Sequence, residues 1–359
     1  MKSSAPGASA AKHDGVIEDE REITNPVLLC DPARPGRLDA AAIGWTRLPL
    51  HHCNLTRRRG AKKRWNYWAF TTETHMFSAT ISNLDYAGLA FVYLIDFEAG
   101  TVEEKTVVTP LGRGCRLPET VDAELRFEHP RLSIAMLREG SAVRVRVLAD
   151  EFGGRSLSAD LLARTPAAHE TLGVVIPWSD REFQYTAKQN CLPAEGEVAL
   201  AGASPARISF AGPQSFACLD FGRGVWPRRI TWNWGAASGR QGGQVVGLNL
   251  GGRWTDGTGM TENALCIDGR LSKVSEPLEW DYARADFMRP WRIRAPQSGS
   301  VDLRFTPFLD RVARTNAVVI RSEVHQLFGH YDGEIRDGAG RSIPIAGLLG
   351  WAEEHIARW

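Results

Sequence analysis

Trp65-Asn66-Tyr67-Trp68-Ala69 recurs as Trp232-Asn233-Trp234-Gly235-Ala236, and this echo decides how the chain is read. Two more anchors follow in the same order. Ser82-Asn83-Leu84 is answered by Leu248-Asn249-Leu250, and Leu94-Ile95-Asp96 by Cys266-Ile267-Asp268, at offsets of 167, 166 and 172 residues. A solenoid or propeller repeats every 20–50 residues or so, whereas this period is the size of a whole domain. The 359-residue chain therefore reads as two related β-rich domains born of a duplication.

Working outward from the first copy, Met76–Ser82, Leu89–Asp96 and Thr101–Val108 alternate in period two, with Asn83–Gly88 and Glu98-Ala99-Gly100 as turns. Arg131–Met136 and Ala142–Leu148 make a hairpin around Glu139-Gly140. Around the second copy, strands are expected at Ala206–Phe210, Ser215–Asp220, Val301–Thr306 and Val324–Gly329. No helical pattern separates the strands, which excludes a parallel α/β sheet. One short C-terminal helix is expected from Ile345 to Arg358, with Glu353 and Glu354 exposed. The fold class is all-β, and the even strand spacing suggests antiparallel barrels or sandwiches. Residues 1–25 read as a disordered tail, 26–200 as the first domain and 201–359 as the second with the terminal helix.

Lys+Arg total 43 against 42 Asp+Glu, so bulk charge draws the chain to neither nucleic acid nor an anionic membrane. The run Arg57-Arg58-Arg59 with Lys62, Lys63 and Arg64 reads as a solvated loop before a strand. The six cysteines show no CxxC and no regular spacing, as expected of small buried residues in a reducing compartment. No apolar run reaches membrane-spanning length, and residues 1–20 resemble neither signal peptide nor anchor; the expected location is the cytoplasm. The oddity is the 12 tryptophans, eight of them beyond residue 225. Large aromatics fill wide interiors or wall pockets for apolar ligands.

The block Asp220–Pro227, then Gly247–Ala264 with its Gly-Leu-Asn-Leu-Gly-Gly-Arg-Trp-Thr-Asp start, is distinctive. With Tyr185–Asn190 and the ending Trp351–Trp359 it resembles the family called domain of unknown function 2804, over nearly everything from residue 26 onward. More remotely that family is similar to two-domain lipocalin-like proteins that include carotenoid hydratases and cofactor-free pericyclases. The resemblance implies tandem lipocalin-like barrels enclosing an apolar small molecule, and it transfers no hydratase motif residue by residue.

Several constellations could carry chemistry. In Asp256–Asn263 the glycines allow close backbone approach while Asp256, Glu262 and Asn263 offer acid, base and amide groups; the alternative is a turn satisfying its own backbone. No Lys-Ser/Thr makes it a phosphate loop. Trp232 and Trp234 share one strand face and Asn233 takes the other, so the indoles either wall a pocket or fill a core. Asn249 and Asn83 stand at corresponding anchor positions, as strand bridges or ligand contacts. His325 could serve as an acid beside Tyr331, with His330 in the turn; a metal on His325, His330 and His355 finds no paired spacing. Tyr185, Lys188 and Trp254 complete the candidate ligand contacts. The expected acids are Asp256, Glu262 and His325, and no metal or cofactor is implied. Three functions stay open: a hydratase, isomerase or cyclase acting on an apolar small molecule, a lipid or isoprenoid carrier, and a glycan-binding sandwich with surface tryptophans.

Overall fold

Two large antiparallel sheets dominate the molecule, beside a small parallel pair of Val27–Leu28 with His51–His52, and the main paths of the two share one connectivity. In bonding order the first runs Thr101–Pro110, Ala87–Asp96, His75–Asn83, Lys62–Thr71, Phe216–Val225, Phe183–Leu200, Arg155–Arg164, Ala142–Phe152, Leu132–Glu139 and Leu125–Phe127. The second runs Arg270–Lys273, Ala264–Ile267, Gln244–Gly252, Arg229–Gln241, Ser342–Arg358, Ile320–Arg336, Val301–Ala317, Trp291–Arg294 and Glu279–Asp281. This computed structural model describes residues 20–56, 59–204, 206–317 and 320–358, so part of the basic run and the first 19 residues fall outside it.

In each half the strand bearing the Trp-Asn motif opens a four-stranded meander to one edge. Its other side pairs with the last strand of that half, Phe216–Val225 or Ser342–Arg358. Such first-to-last pairing curls a sheet back on itself, and both sheets are half-barrels of the two-domain lipocalin-like kind. Phe70, Phe77, Phe127, Phe152 and Phe183 fill the first. Trp291, Leu303, Phe305 and Tyr331 fill the second.

The terminal helix is not there. Ser342–Arg358 is a 17-residue strand, hydrogen-bonded to Arg229–Gln241 on one side and Ile320–Arg336 on the other. Local Ala, Leu and Glu favour helix, but two ladders satisfy this backbone, and Pro344 and the left-handed Gly347 (φ 60°) oppose a helix anyway. The strand period also turns Glu353 and Glu354 to opposite faces, and both are buried rather than exposed.

The register also corrects the anchors. Thr80 lies opposite Tyr67 and Gly251 opposite Trp234, so when Trp65 is matched to Trp232, Asn249 corresponds to Ser78 rather than Asn83. Each half-barrel presents its second face to the other. Tyr67, Tyr93, Trp234, Phe328 and Trp351 pack together there, and so do Ile176, Trp226, Trp254 and Met260. At the start of the described chain Glu20 reaches across to Thr261 and to Lys273 Nζ, 2.9 Å away. All six cysteines are free and buried. Among the described residues no helix is long and apolar enough to cross a membrane.

Candidate functional site

Between the two aromatic clusters the facing sheets leave a cavity of about 230 Å³. Its wall is built twice from the same register. Trp65 and Tyr67, two residues apart on Lys62–Thr71, face it from one side; Trp232 and Trp234 face it from the other. Opposite Tyr67 stands Asp220, and opposite Trp234 stands Glu353. Trp65 Nε1 donates to Asp220 Oδ2 at 3.0 Å, and Trp232 Nε1 donates to Glu353 Oε1 at 3.0 Å. One strand further, Lys188 pairs with Asp220 and Gln326 with Glu353. The matching register thus places one scaffold on both walls with different side chains, a cation beside one carboxylate and a neutral amide beside the other.

That difference sets the electrostatics. Lys188 Nζ lies 3.0 Å from Asp220 Oδ1, 3.3 Å from Glu262 Oε2 and 4.1 Å from the Trp234 ring centre. Burial works against its charge, but the two carboxylates outweigh it and raise its pKa above the ordinary lysine value. Burial raises the Glu262 carboxyl, with Lys188 and the Trp254 indole, which donates to Oε1 at 2.6 Å, pulling the other way. Burial pushes Glu353 up to about 7, against the Trp232 hydrogen bond and the more distant charges of Lys188 and Arg311. Glu353 Oε1 is held by Trp232. His355 lies against the Trp232 ring at 3.9 Å with Nε2 2.6 Å from Ser322 Oγ; burial lowers it to about 3, so it stays neutral. Tyr67 and Tyr93 share a hydrogen bond of 2.8 Å, and Tyr93 OH donates to Gln326 Oε1 at 3.0 Å. The wall therefore offers one proton-bearing carboxyl at near-neutral pH, a fixed lysine–carboxylate group and a run of hydroxyls among indole faces.

The family described as Domain of unknown function (DUF2804) matches residues 20–359. The chain belongs to that family. No curated protein matches it. Among solved structures it is similar to kievitone hydratase from Nectria haematococca, at 11% identity, covering 83% of this chain and 89% of that one, with a TM-score of 0.52. It is also similar to an AttH candidate from Nitrosomonas europaea, at 12% identity, covering 82% and 92%, with a TM-score of 0.46. At 11% identity the likeness to kievitone hydratase concerns the fold alone.

Within this DUF2804 chain, Lys188, Trp232, Trp234, Trp254 and Glu262 meet at the cavity. Asn249 supports it from behind: its Oδ1 accepts from Trp234 Nε1 at 2.9 Å, and its Nδ2 donates to Glu262 O at 2.6 Å. Asn263 ties Gly251 N to Glu276 O, a bridge from the strand Gln244–Gly252 to a loop. Asn233 turns the other way, to Tyr282 OH and Glu353 O. Asp256 lies in an exposed turn outside the cavity. His325 points away from it, bonded to Asp310 Oδ2 at 2.8 Å and stacked on Phe287, because its neighbour Val324 takes the cavity face. Tyr331 is sealed in the second core with its OH on Trp351 O, and Tyr185 is sealed in the first, stacked on His51. His325, His330 and His355 do not converge, and no group of three or more His, Cys, Asp or Glu among the described residues could hold a metal.

Asp220 and Glu353 escaped the sequence reading of candidate acids. Glu353 was hidden by reading its strand as helix; period-two alternation through Trp351-Ala352-Glu353 was the signal that could have exposed it. The close fit of Trp65 gives a prediction. A Cβ at Gly222 would collide with the Trp65 indole and with Gln184 Nε2. Gly222→Ala should cost about 1–3 kcal/mol, as overpacking does, and shift tryptophan emission as the Trp65–Asp220 bond loosens. A urea midpoint and emission spectrum equal to wild type would refute the packing described.

Proposed function

We propose that this protein catalyses proton-transfer chemistry on a small, unsaturated, largely apolar molecule, adding or removing water at a double bond or moving that bond. The observation that carries this reading is Glu353, a carboxyl shifted to about 7 by burial in an aromatic cavity, with one oxygen fixed by Trp232. In the hydration direction Glu353 gives its proton to one alkene carbon. The electron-poor carbon is stabilised by the indole faces, water adds to it, and the water's proton returns to carboxylate. Lys188, held by Asp220 and Glu262, orients polar substituents of the substrate. Asp256 and His325 take no part from where they stand; Glu262 serves through its ion pair.

A 230 Å³ space suits a compound of one or two rings, since an engineered apolar cavity of about 150 Å³ takes benzene and drug-sized ligands need roughly 300 Å³ or more. A fold shared with kievitone hydratase is compatible with such chemistry. Surface glycan binding draws no support, because none of the described tryptophans is exposed. The second reading is a carrier that uses the same cavity without reaction.

The test begins with protein purified from its own host, extraction of any bound compound and its identification. That compound is then incubated with fresh protein in deuterium oxide. Deuterium fixed on carbon, in a hydrated or isomerised product, is the expected result. Return of the compound without deuterium would overturn the enzyme in favour of the carrier, and protein that emerges empty would count against both.

A further inference from the structure

Away from the acids of the cavity, the two half-barrels touch through a pair of thiols. Cys191 sits where the pairing of Phe183–Leu200 slips between Gln189 and Leu192, a β-bulge, with φ at 62°. Left-handed backbone is uncommon outside glycine, and bulges re-aim side chains. This one docks on the other sheet. Cys191 N–H donates to Ser238 Oγ at 2.9 Å, and Asn190 Nδ2 donates to Leu248 O at 2.7 Å. Ser238 pairs with Gly247, and Gly247 pairs with Cys266. Gly247 has no side chain, and the Cys191 sulfur uses that room. A Cβ built on Gly247 would stand 2.5 Å from Cys191 Sγ and 3.2 Å from Cys266 Cβ. His169 completes the group, with Nε2 2.9 Å from Asn190 O and Nδ1 buried without a hydrogen bond.

We propose that Cys191 and Cys266 form a disulfide between the two half-barrels under hydrogen peroxide, with His169 as the base. His169 takes the proton of the Cys266 thiol. The thiolate attacks one peroxide oxygen, the O–O bond breaks, and the departing hydroxide takes the proton from His169 and leaves as water. Cys266 is then a sulfenic acid. The Cys191 sulfur attacks the Cys266 sulfur, the S–O bond breaks, and the oxygen leaves as water with the Cys191 proton. Two thiols are oxidised and one peroxide is reduced to two waters.

The order of attack follows from the surroundings. Cys191 and His169 draw the Cys266 thiol below the ordinary thiol range, whereas burial pushes Cys191 above it. Both sulfurs are buried, so a small neutral oxidant is the suitable partner and a bulky disulfide is not. The bond would have consequences at the cavity. Cys191 follows Lys188 on one strand and Cys266 follows Glu262 on the other chain segment, so the link would staple the side on which that ion pair forms.

The experiment treats the folded, reduced chain with hydrogen peroxide, alkylates the remaining thiols and maps peptides without reduction. A Cys191–Cys266 peptide pair, with the intact chain lighter by two hydrogen atoms, is expected. Cys191→Ser preserves the size of the bulge residue and should instead leave Cys266 carrying added oxygen in the intact mass, with no cross-link. His169→Asn should slow the linkage severalfold. Cys266 and Cys191 both remaining alkylatable after peroxide has fully oxidised a free small thiol would overturn the proposal. So would a link made by any other cysteine, or one formed only after denaturation.

Discussion

Glu353→Gln is expected to lower turnover by about 10²–10⁴-fold, the usual contribution of a positioned proton donor, while ligand affinity stays within a few-fold of wild type. Glutamine keeps the oxygen that accepts from Trp232, so the cavity should keep its shape. It has no exchangeable acid proton to give. Two pH dependences accompany the substitution. In wild type, turnover through the acid form should be high below about 7 and decline above it, the value to which burial lifts this carboxyl. Stability should follow the same sign. The folded-state pKa lies above the unfolded one, so the folded chain binds the proton more tightly. The stabilisation is complete below the ordinary carboxyl value and lost as pH rises towards 7, a change of order 3 kcal/mol at 1.36 kcal/mol per pKa unit. In Glu353→Gln that pH dependence should vanish, leaving the variant the more stable protein in mild alkali. Urea midpoints across that window, beside the deuterium assay, would test both halves. A variant that turns over like wild type would remove Glu353 as the donor. An unchanged stability profile would remove its raised pKa.

Lys188→Met should have the largest effect on stability. Lys188 is the cation that Asp220 and Glu262 share, and both carboxylates are buried. Methionine fills much of the volume but leaves two like charges without a counterion. Breaking a buried pair from one side costs about 3–5 kcal/mol. The variant should recover as pH falls, because the unpaired Glu262 carboxyl, raised by burial and by the neighbouring Asp220 charge, takes up a proton and ceases to be charged. Glu262→Gln should cost less, since Lys188 keeps Asp220. Denaturant unfolding of the three proteins at acid and at alkaline pH measures this. If Lys188→Met were as stable as wild type in alkali, the buried triad would not be as described.

Much of the architecture was legible because it depends on local period and on repetition. The alternation through Met76–Ser82 and Leu89–Asp96 specifies strands whatever surrounds them, and the echo of Trp65–Ala69 in Trp232–Ala236 marked equivalent strands of two half-barrels. The Asn pairing failed because a three-residue anchor does not register the number of residues in a turn. Asn83 ends its strand while Asn249 sits inside one. The last strand was misread because its composition favours helix and its true partners lie about 20 and about 120 residues away in the chain. With it went Glu353, which a helix would have left in solvent.

By itself, then, the sequence determined an all-β chain, its duplication, its family and which residues share a strand face, since periodicity and repeats are properties of the chain order. That Trp232 and Trp234 would look outward from their half-barrel, towards Trp65 and Tyr67, was decided only when the two sheets packed. So was the chemistry of the carboxylates. Asp220 and Glu353 hold matching places in the repeat, and what separates them is which side chain, Lys188 or Gln326, the neighbouring strand brings into the same desolvated space. Desolvation and charge pairing depend on three-dimensional neighbours, and no local reading of either strand contains them.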